Sequence, residues 1–131
     1  MSQVVLDTDV ISFIFKSDSR AERFLPRTQR GQIISFMTEA ELEQWTLQSR
    51  WGSLRVARFR EFMIRFVVIP SSRDLVVKWA EVMVSARSAG RRIEAADGWI
   101  AATALLYEAP LLTHNPRDYT GVPGLRIVTG L

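Results

Sequence analysis

Short, uninterrupted apolar runs alternate with longer stretches of helical periodicity along the whole chain. Runs at residues 3–7, 31–36, 66–70 and 110–115 lack the polar–apolar alternation of strands that face water, and residues 125–129 form a candidate edge strand. Strands of this kind are typical of parallel sheets that helices cover on both faces. The pattern predicts an α/β fold with a central parallel sheet of four to five strands.

The segments between the apolar runs predict six helices. Apolar residues at helical spacing, candidate caps and helix breakers place them at residues 8–15, 18–30 (with a break near Pro26), 38–50, 53–66, 72–89 and 93–109. Ser53 is a candidate cap for the fourth helix, and Gly90 follows the end of the fifth. In sheets covered this way, ligands bind beyond the carboxyl ends of the strands.

Length and composition limit the class of protein. A chain of 131 residues is most simply one domain, residues 1–131, and its 47% apolar and 24% charged residues are ordinary for a globular protein. No apolar run approaches the roughly 18 residues of a membrane span, and acidic residues near the N-terminus argue against an export signal. The absence of cysteine suits a reducing cytoplasm, and the single histidine excludes multi-histidine zinc sites.

Arginine supplies 15 of the 17 basic residues, at a net charge of +3. Its planar guanidinium suits bidentate contacts with phosphate, so a polyanionic partner is one explanation. A genome with GC-rich codons is the other, and composition does not separate them. Candidates for backbone contact are Arg55, Arg58, Arg60, Arg65, Arg91 and Arg92.

Four acids from distant parts of the sequence are expected at one edge of the sheet. Asp7 ends the first strand, Glu41 lies in the helix after the second, Asp97 lies near the start of the last helix, and Asp118 follows the fourth strand. Carboxylates placed together repel one another, which raises their pKa values unless a cation neutralises them. Carboxylate oxygens suit Mg²⁺ or Mn²⁺, so the sequence predicts a divalent metal site.

Three of these acids also have a purely structural explanation. Thr38 and Glu41 match a T-x-x-E capping box, and Asp118 in "NPRDY" suits a turn. Asp97 precedes Gly98 and suits a cap. However, Ala101 and Ala104 lie on the same helical face, which indicates that the Asp97 side chain faces the packed interior.

The polar residues near these acids can also have either a structural role or a role in the site. We expect Asp9 to cap the first helix and Glu94 to be a charge favoured at a helix start. Thr8 and Thr113 suit either positioning of water or phosphate or a structural hydroxyl, and His114 suits a general base less well than an incidental loop position.

The opening "LDTDV" also fits the D-x-D-x-T/V motif of haloacid-dehalogenase-type phosphatases. That family needs a lysine near a later strand and an acidic pair after the last catalytic strand. Lys16 and Lys78 are badly placed for this, and no paired acids follow "PLLT". A receiver domain is disfavoured because Pro70 stands where its phospho-acceptor aspartate would end the third strand.

Four segments in order resemble PIN-domain ribonucleases of the VapC toxin type. "VVLDTDVIS" resembles the family's opening L-D-T-[ND]-V-[IL]-S, and "TEAELEQW" its T-x-x-E-L segment. "AADGWIAATAL" is similar to its D-x-x-I-A-A-x-A-L helix, and "LLTHNPRDY" followed by "VPGLRIV" resembles its closing segment. The resemblance implies a PIN-like three-layer α/β/α sandwich, with Asp7, Glu41 and Asp97 as the acidic core.

The chain departs from the family pattern at two positions. Asn115 stands where many PIN domains carry an acid, which makes Asp118 the candidate fourth carboxylate, and Asp9 replaces the commoner asparagine. Neither change removes the three-acid core.

The resemblance also implies a function. It implies a cytoplasmic, Mg²⁺- or Mn²⁺-dependent endoribonuclease that cuts transfer RNA or ribosomal RNA. It further implies a homodimer that a VapB-type antitoxin silences. A PIN-like RNA-binding or RNA-maturation module with weak or no catalysis is the alternative.

Overall fold

A five-stranded parallel sheet forms the centre of the computed structural model, which describes residues 3–25 and 31–129. The strands lie in the order β3-β2-β1-β4-β5, and every neighbouring pair is parallel. They are β1 (Gln3–Leu6), β2 (Gly31–Ser35), β3 (Val67–Ile69), β4 (Leu111–Leu112) and β5 (Ile127–Val128). The helices are α1 (Thr8–Phe15), α2 (Phe36–Gln48), α3 (Ser53–Met63), α4 (Arg73–Ser88) and α5 (Ala95–Leu106). The predicted α/β class and five-stranded parallel sheet are confirmed.

Both faces of the sheet are buried, as the unbroken apolar strands predicted. On one face, Val5 of the central strand packs with Ile33 and with the Ala-rich side of α5. On the other face, Leu6 packs with Ile34 and with residues of α1, α2 and α3. Because neighbouring residues of a strand point to opposite faces, β1 contributes to both cores and needs apolar side chains throughout.

The second predicted helix, residues 18–30, is wrong over its described part. A 3-10 turn, Ser19–Ala21, and further turns up to residue 25 take its place, with the Asp18 carboxylate accepting from the Arg20 backbone N–H at 2.9 Å. The same carboxylate also binds the Arg20 guanidinium at 2.7 Å. These local bonds compete with helix continuation, as short polar side chains do. Residues 26–30 lie outside the described residues.

Three predicted helix caps are also wrong, although α1 and α3 begin at residues 8 and 53 as predicted. The α2 helix begins at Phe36 directly after β2, so its cap is Ser35, whose hydroxyl accepts from the Met37 N–H at 3.0 Å. Thr38 is therefore inside the helix and is not the first member of a capping box. Gly52 is the cap of α3, which makes Ser53 its first helical residue. In α1 the cap is Asp7, whose carboxylate accepts from the Thr8 N–H at 2.7 Å.

The α5 helix packs very closely against α4, which fixes where α5 starts. A Cβ on Gly98 would lie 2.6 Å from Met83 Sδ and 2.9 Å from Trp79 Nε1. Trp79 stacks on Trp99 at 4.8 Å between ring centroids and donates to the Ala95 carbonyl at 3.2 Å. This packing holds the first turn of α5, which contains Asp97. Among the described residues, no helix is long and apolar enough to cross a membrane.

The position of the α2 cap can be tested by substitution. Ser35→Ala removes the hydroxyl that binds the Met37 N–H, so we expect a loss of about 1 kcal/mol in the free energy of unfolding. Ser53→Ala is the matched control, because no side-chain bond caps α3. Urea denaturation measures both changes. A larger loss of unfolding free energy for Ser53→Ala than for Ser35→Ala would contradict these cap assignments.

Candidate active site

Asp7 occupies the carboxyl end of the central strand and is 93% shielded from solvent, with 7% exposure. One carboxylate oxygen accepts from the Thr8 backbone N–H at 2.7 Å, and the other from the Thr113 hydroxyl at 2.8 Å. Thr113 follows β4, the neighbouring strand. The carboxylate is therefore fixed between α1 and the end of β4.

Glu41 lies on α2 and is held in place by Thr8. The Thr8 hydroxyl donates to Glu41 Oε1 at 2.6 Å and lies 3.3 Å from the Thr38 hydroxyl, which is fully buried. Glu41 thus points toward α1 instead of back to the start of its own helix, which overturns its capping-box explanation. Thr8 and Thr113 each donate to a carboxylate, so both are positioning hydroxyls.

Asp97 and Asp118 complete the set of predicted acids. Asp97 lies half-buried in the first turn of α5, and Asp118 is exposed in a 3-10 turn, Pro116–Tyr119. Together with Asp7 and Glu41, they line one cleft of about 370 Å³. The structure therefore brings all four predicted acids to the same cleft. Its other lining residues are Thr8, Asp9, Ser12, Lys16, Leu42, Trp45 and Asn115.

Burial and the charges of neighbouring acids raise the pKa values of Asp7 and Asp97. For Asp7, burial raises the pKa most, the hydrogen bond from Thr113 opposes the rise, and the charge of Glu41 adds to it. For Asp97, burial and then the charges of Asp7, Asp118 and Glu41 raise the pKa to about 7. Within residues 3–25 and 31–129, no basic side chain lies within salt-bridge distance of these acids. Their charge is therefore not neutralised by the described part of the chain.

Asp9 does not cap α1, which corrects the prediction. One of its oxygens accepts from the Asn115 side-chain amide at 2.8 Å and from the His114 backbone N–H at 3.2 Å. It thereby fastens the segment after β4 to α1. Its other oxygen is buried without a hydrogen-bond partner among the described residues, and burial together with the charge of Asp7 raises its pKa to about 7.

The structure separates the roles of the other polar residues near β4. Asn115 uses its amide nitrogen to bind Asp9, so Asp118 is the acid on this side of the cleft. His114 packs edge-on against Phe13 at 5.2 Å and does not line the cleft, which disfavours it as a general base. The Tyr119 hydroxyl is buried with no partner in hydrogen-bonding geometry among described residues, and burial and the Asp7 charge raise its pKa.

The donor chemistry of the cleft fits a hard divalent cation. Every candidate ligand atom is oxygen, the carboxylates are not neutralised, and a buried Asp9 oxygen has no partner. As positioned, no three acidic or imidazole side chains in the described ranges are close enough to hold one ion together. Mg²⁺ does not require that, because it commonly binds one or two carboxylates and keeps water and phosphate oxygens as its remaining ligands.

Comparison with known proteins identifies the family. The PIN domain profile matches residues 4–123. The chain belongs to the PIN domain family. Its acidic cleft is thus a PIN-domain cleft, and the phosphatase reading of "LDTDV" is set aside.

Named relatives of this PIN domain are ribonucleases. The chain is 28% identical over 113 residues to "Ribonuclease VapC4" of Mycobacterium tuberculosis, covering 83% of this chain and 86% of that protein. It is 27% identical to "Ribonuclease VapC1" of Haemophilus influenzae, with 93% of both chains covered. A DNA-bound VapBC structure from Salmonella typhimurium matches all of both chains with a TM-score of 0.86 and 25% identity.

The raised pKa of Asp97 predicts that the stability of the metal-free protein depends on pH. Folding raises this pKa from 3.8 to about 7, so the folded metal-free protein loses stability as the pH rises from about 4 through 7. Asp97→Asn removes that charge. We expect Asp97→Asn to raise the free energy of unfolding by about 1 kcal/mol at pH 8 and by little at pH 5. The gain is modest because solvent screens a half-buried group and because the variant loses a favourable negative charge at the start of a helix.

Thermal unfolding in EDTA at the two pH values measures this effect. Glu108→Gln, an exposed acid just beyond the other end of α5, is the control and should change stability equally little at both. A loss of stability for Asp97→Asn at pH 8 would contradict the electrostatic account.

Proposed function

We propose that this protein is a metal-dependent endoribonuclease of the VapC toxin type, and that residues 1–131 form one PIN domain. The observation that carries the proposal is the cleft itself, where Asp7, Glu41, Asp97 and Asp118 meet without a basic partner among the described residues. The ribonuclease names of its relatives supply the reaction class.

In this proposal Asp7, Glu41 and Asp97 hold the metal, and Asp118 completes or orients the site. Both oxygens of Asp7 accept one hydrogen bond each, which leaves a second lone pair on each for a cation. The Thr8 hydroxyl holds Glu41 in the same way. These bonds fix the direction of the carboxylates before metal or substrate arrives, which lowers the cost of assembling the site.

The chemistry we propose is hydrolysis of an RNA phosphodiester bond. A bound Mg²⁺ or Mn²⁺ would lower the pKa of a water molecule and neutralise charge on the phosphate in the transition state. The protein's part is to fix the positions of the carboxylates and to place the phosphate against them, and the cation would keep them ionised. A bound cation would also reduce the repulsion between the carboxylates and RNA phosphates.

Arginines outside the cleft supply the positive surface for RNA in this proposal. Arg58, Arg91 and Arg92 are exposed and suit backbone phosphates. Arg60 is less suited, because its guanidinium binds both oxygens of Glu43 at 2.9 and 3.0 Å. Arg55 and Arg65 are also less suited, because they lie over the rings of Trp51 and Phe62.

We also propose a VapB-type antitoxin as the partner, a homodimer as the assembly and the cytoplasm as the location. Support for the antitoxin comes from the VapBC structures that the chain resembles. Transfer RNA or ribosomal RNA is the proposed substrate. The alternative is an RNA-binding or RNA-maturation module with weak or no catalysis, and the intact acidic core argues against it.

Cleavage of total RNA tests the proposal. Antitoxin-free wild-type protein should give discrete products with Mg²⁺ or Mn²⁺ and none with EDTA. Asp97→Asn should lower the rate at least a hundredfold, because it removes a charged ligand of the metal. Glu94→Gln is the control, since this exposed acid lies three residues earlier and does not line the cleft.

Two results would contradict parts of the proposal. RNA binding without cleavage by folded wild-type protein would favour the binding module. Cleavage that persists in EDTA and in Asp97→Asn would contradict the metal site.

A further inference from the structure

The wall of the cleft also carries side chains of a different chemistry from the acids. Lys16, Leu42 and Trp45 line the same cleft, so a cation, an apolar side chain and an aromatic ring share it with the carboxylates. We call these three residues the aromatic end and the carboxylates the acidic end. We propose that Trp45 and Lys16 form a stacking subsite for one unpaired RNA base next to the phosphate that is cut. This inference rests on the proposed ribonuclease function and names the residues that hold a base beside the cut.

The spacing between the two ends suits neighbouring parts of one nucleotide chain. Glu41 and Trp45 are four residues apart on α2, so they lie on the same face, one helical turn of about 5.4 Å apart. A phosphate held against Glu41 and Asp7 therefore places an adjoining base within reach of the Trp45 ring. Leu42, which is buried at 1% exposure, forms the floor between them.

The ring of Trp45 packs against three aromatic rings, and no ring among the described residues is stacked parallel to it. Phe15, Trp51 and Phe59 contact it with interplanar angles of 85°, 68° and 89°. Such steep contacts fix the ring's orientation while leaving it free of a parallel partner. A rigid, half-buried ring at a cleft wall is the kind of platform on which a base stacks.

Lys16 is the group that lies over this ring. Its Nζ is 5.5 Å from the Trp45 ring centroid, and the side chain is exposed. A flexible cation there can move aside for a base and take an adjoining phosphate. By contrast, the cation over Trp51 is Arg55, at 4.4 Å, and neither residue lines the cleft.

A stacking subsite of this kind selects unpaired RNA. A base in a duplex already has neighbours stacked on both faces and is not free to lie on a side chain, whereas bases in loops and single strands are. The acidic end then accepts any backbone phosphate, and the aromatic end requires that the strand be open at that point.

Equilibrium binding to synthetic RNA tests the subsite. The probes are a fluorescent oligouridylate and an abasic ribose-phosphate oligomer of the same length, bound to antitoxin-free Asp97→Asn protein so that the strand stays intact. With Trp45 unchanged, we expect the base-bearing strand to bind about tenfold more tightly than the abasic one. Trp45→Leu should abolish this preference and leave abasic binding nearly unchanged, whereas Trp45→Phe should keep part of it.

Lys16→Ala provides a second route, because this exposed residue can be changed without disturbing the core. It should weaken binding of the base-bearing strand more than Arg55→Ala does, the matched removal of a cation from a tryptophan outside the cleft.

The inference is overturned if the abasic strand binds as tightly as oligouridylate, or if Trp45→Leu keeps the full preference. Trp45→Leu and Lys16→Ala variants that lose only a protein partner, with RNA binding unchanged, would also overturn it and assign this end to that partner. Metal-dependent cleavage of RNA by the wild type, measured in parallel, separates these results from failure of the proposed function itself.

Discussion

The carboxylate of Asp7, buried at the end of the central strand, is the group around which the cleft is organised. Its two oxygens join the first turn of α1 to the residue that follows β4, through the Thr8 N–H and the Thr113 hydroxyl. Thr8 in turn holds Glu41 of α2. A single buried charge thus links a helix start, a strand end and a second helix, and its desolvation is offset only partly by these hydrogen bonds.

The surrounding acids make this arrangement costly in the absence of a cation. Asp97 is placed against Asp7 by the close packing of α5 on α4, which Gly98 permits because it has no Cβ. Asp9 adds a further carboxyl, fastened by Asn115 and by the His114 backbone. The fold therefore holds several acids close together, and no basic side chain among the described residues pairs with them. This is expected of a metal site, in which a bound cation neutralises the carboxylates.

Much of this arrangement could be predicted from the sequence because it follows from periodicity and topology. Unbroken apolar strands such as residues 3–7 and 31–36 require a sheet buried on both faces, and parallel strands bring their carboxyl ends to one edge. This topology predicted that four acids would meet at one edge, and in the structure they line one cleft: Asp7, Glu41, Asp97 and Asp118. The starts of α1 and α3 were also predicted correctly, and α4 begins one residue after the predicted Ser72, which is its cap.

The failures come from side chains with more than one available partner. The T-x-x-E spacing of Thr38 and Glu41 suggested a cap, but β2 runs directly into α2, so Ser35 is the cap and both residues are free to contact Thr8. Asp9 was also predicted to be a cap, but it binds Asn115, which is far away in the sequence, and the spacing of neighbouring residues gives no information on such a bond. The helix predicted from Asp18 was replaced by local bonds to Arg20.

The measurement that tests the central claim most directly is an anomalous-diffraction experiment on crystals of the antitoxin-free protein soaked in Mn²⁺. The account predicts an anomalous peak in the cleft, with carboxylate oxygens of Asp7 and Asp97 at ligand distance and Glu41 or Asp118 nearby. A cleft that stays without manganese at saturating concentration, or one in which a basic side chain from the undescribed residues neutralises these acids, would contradict it.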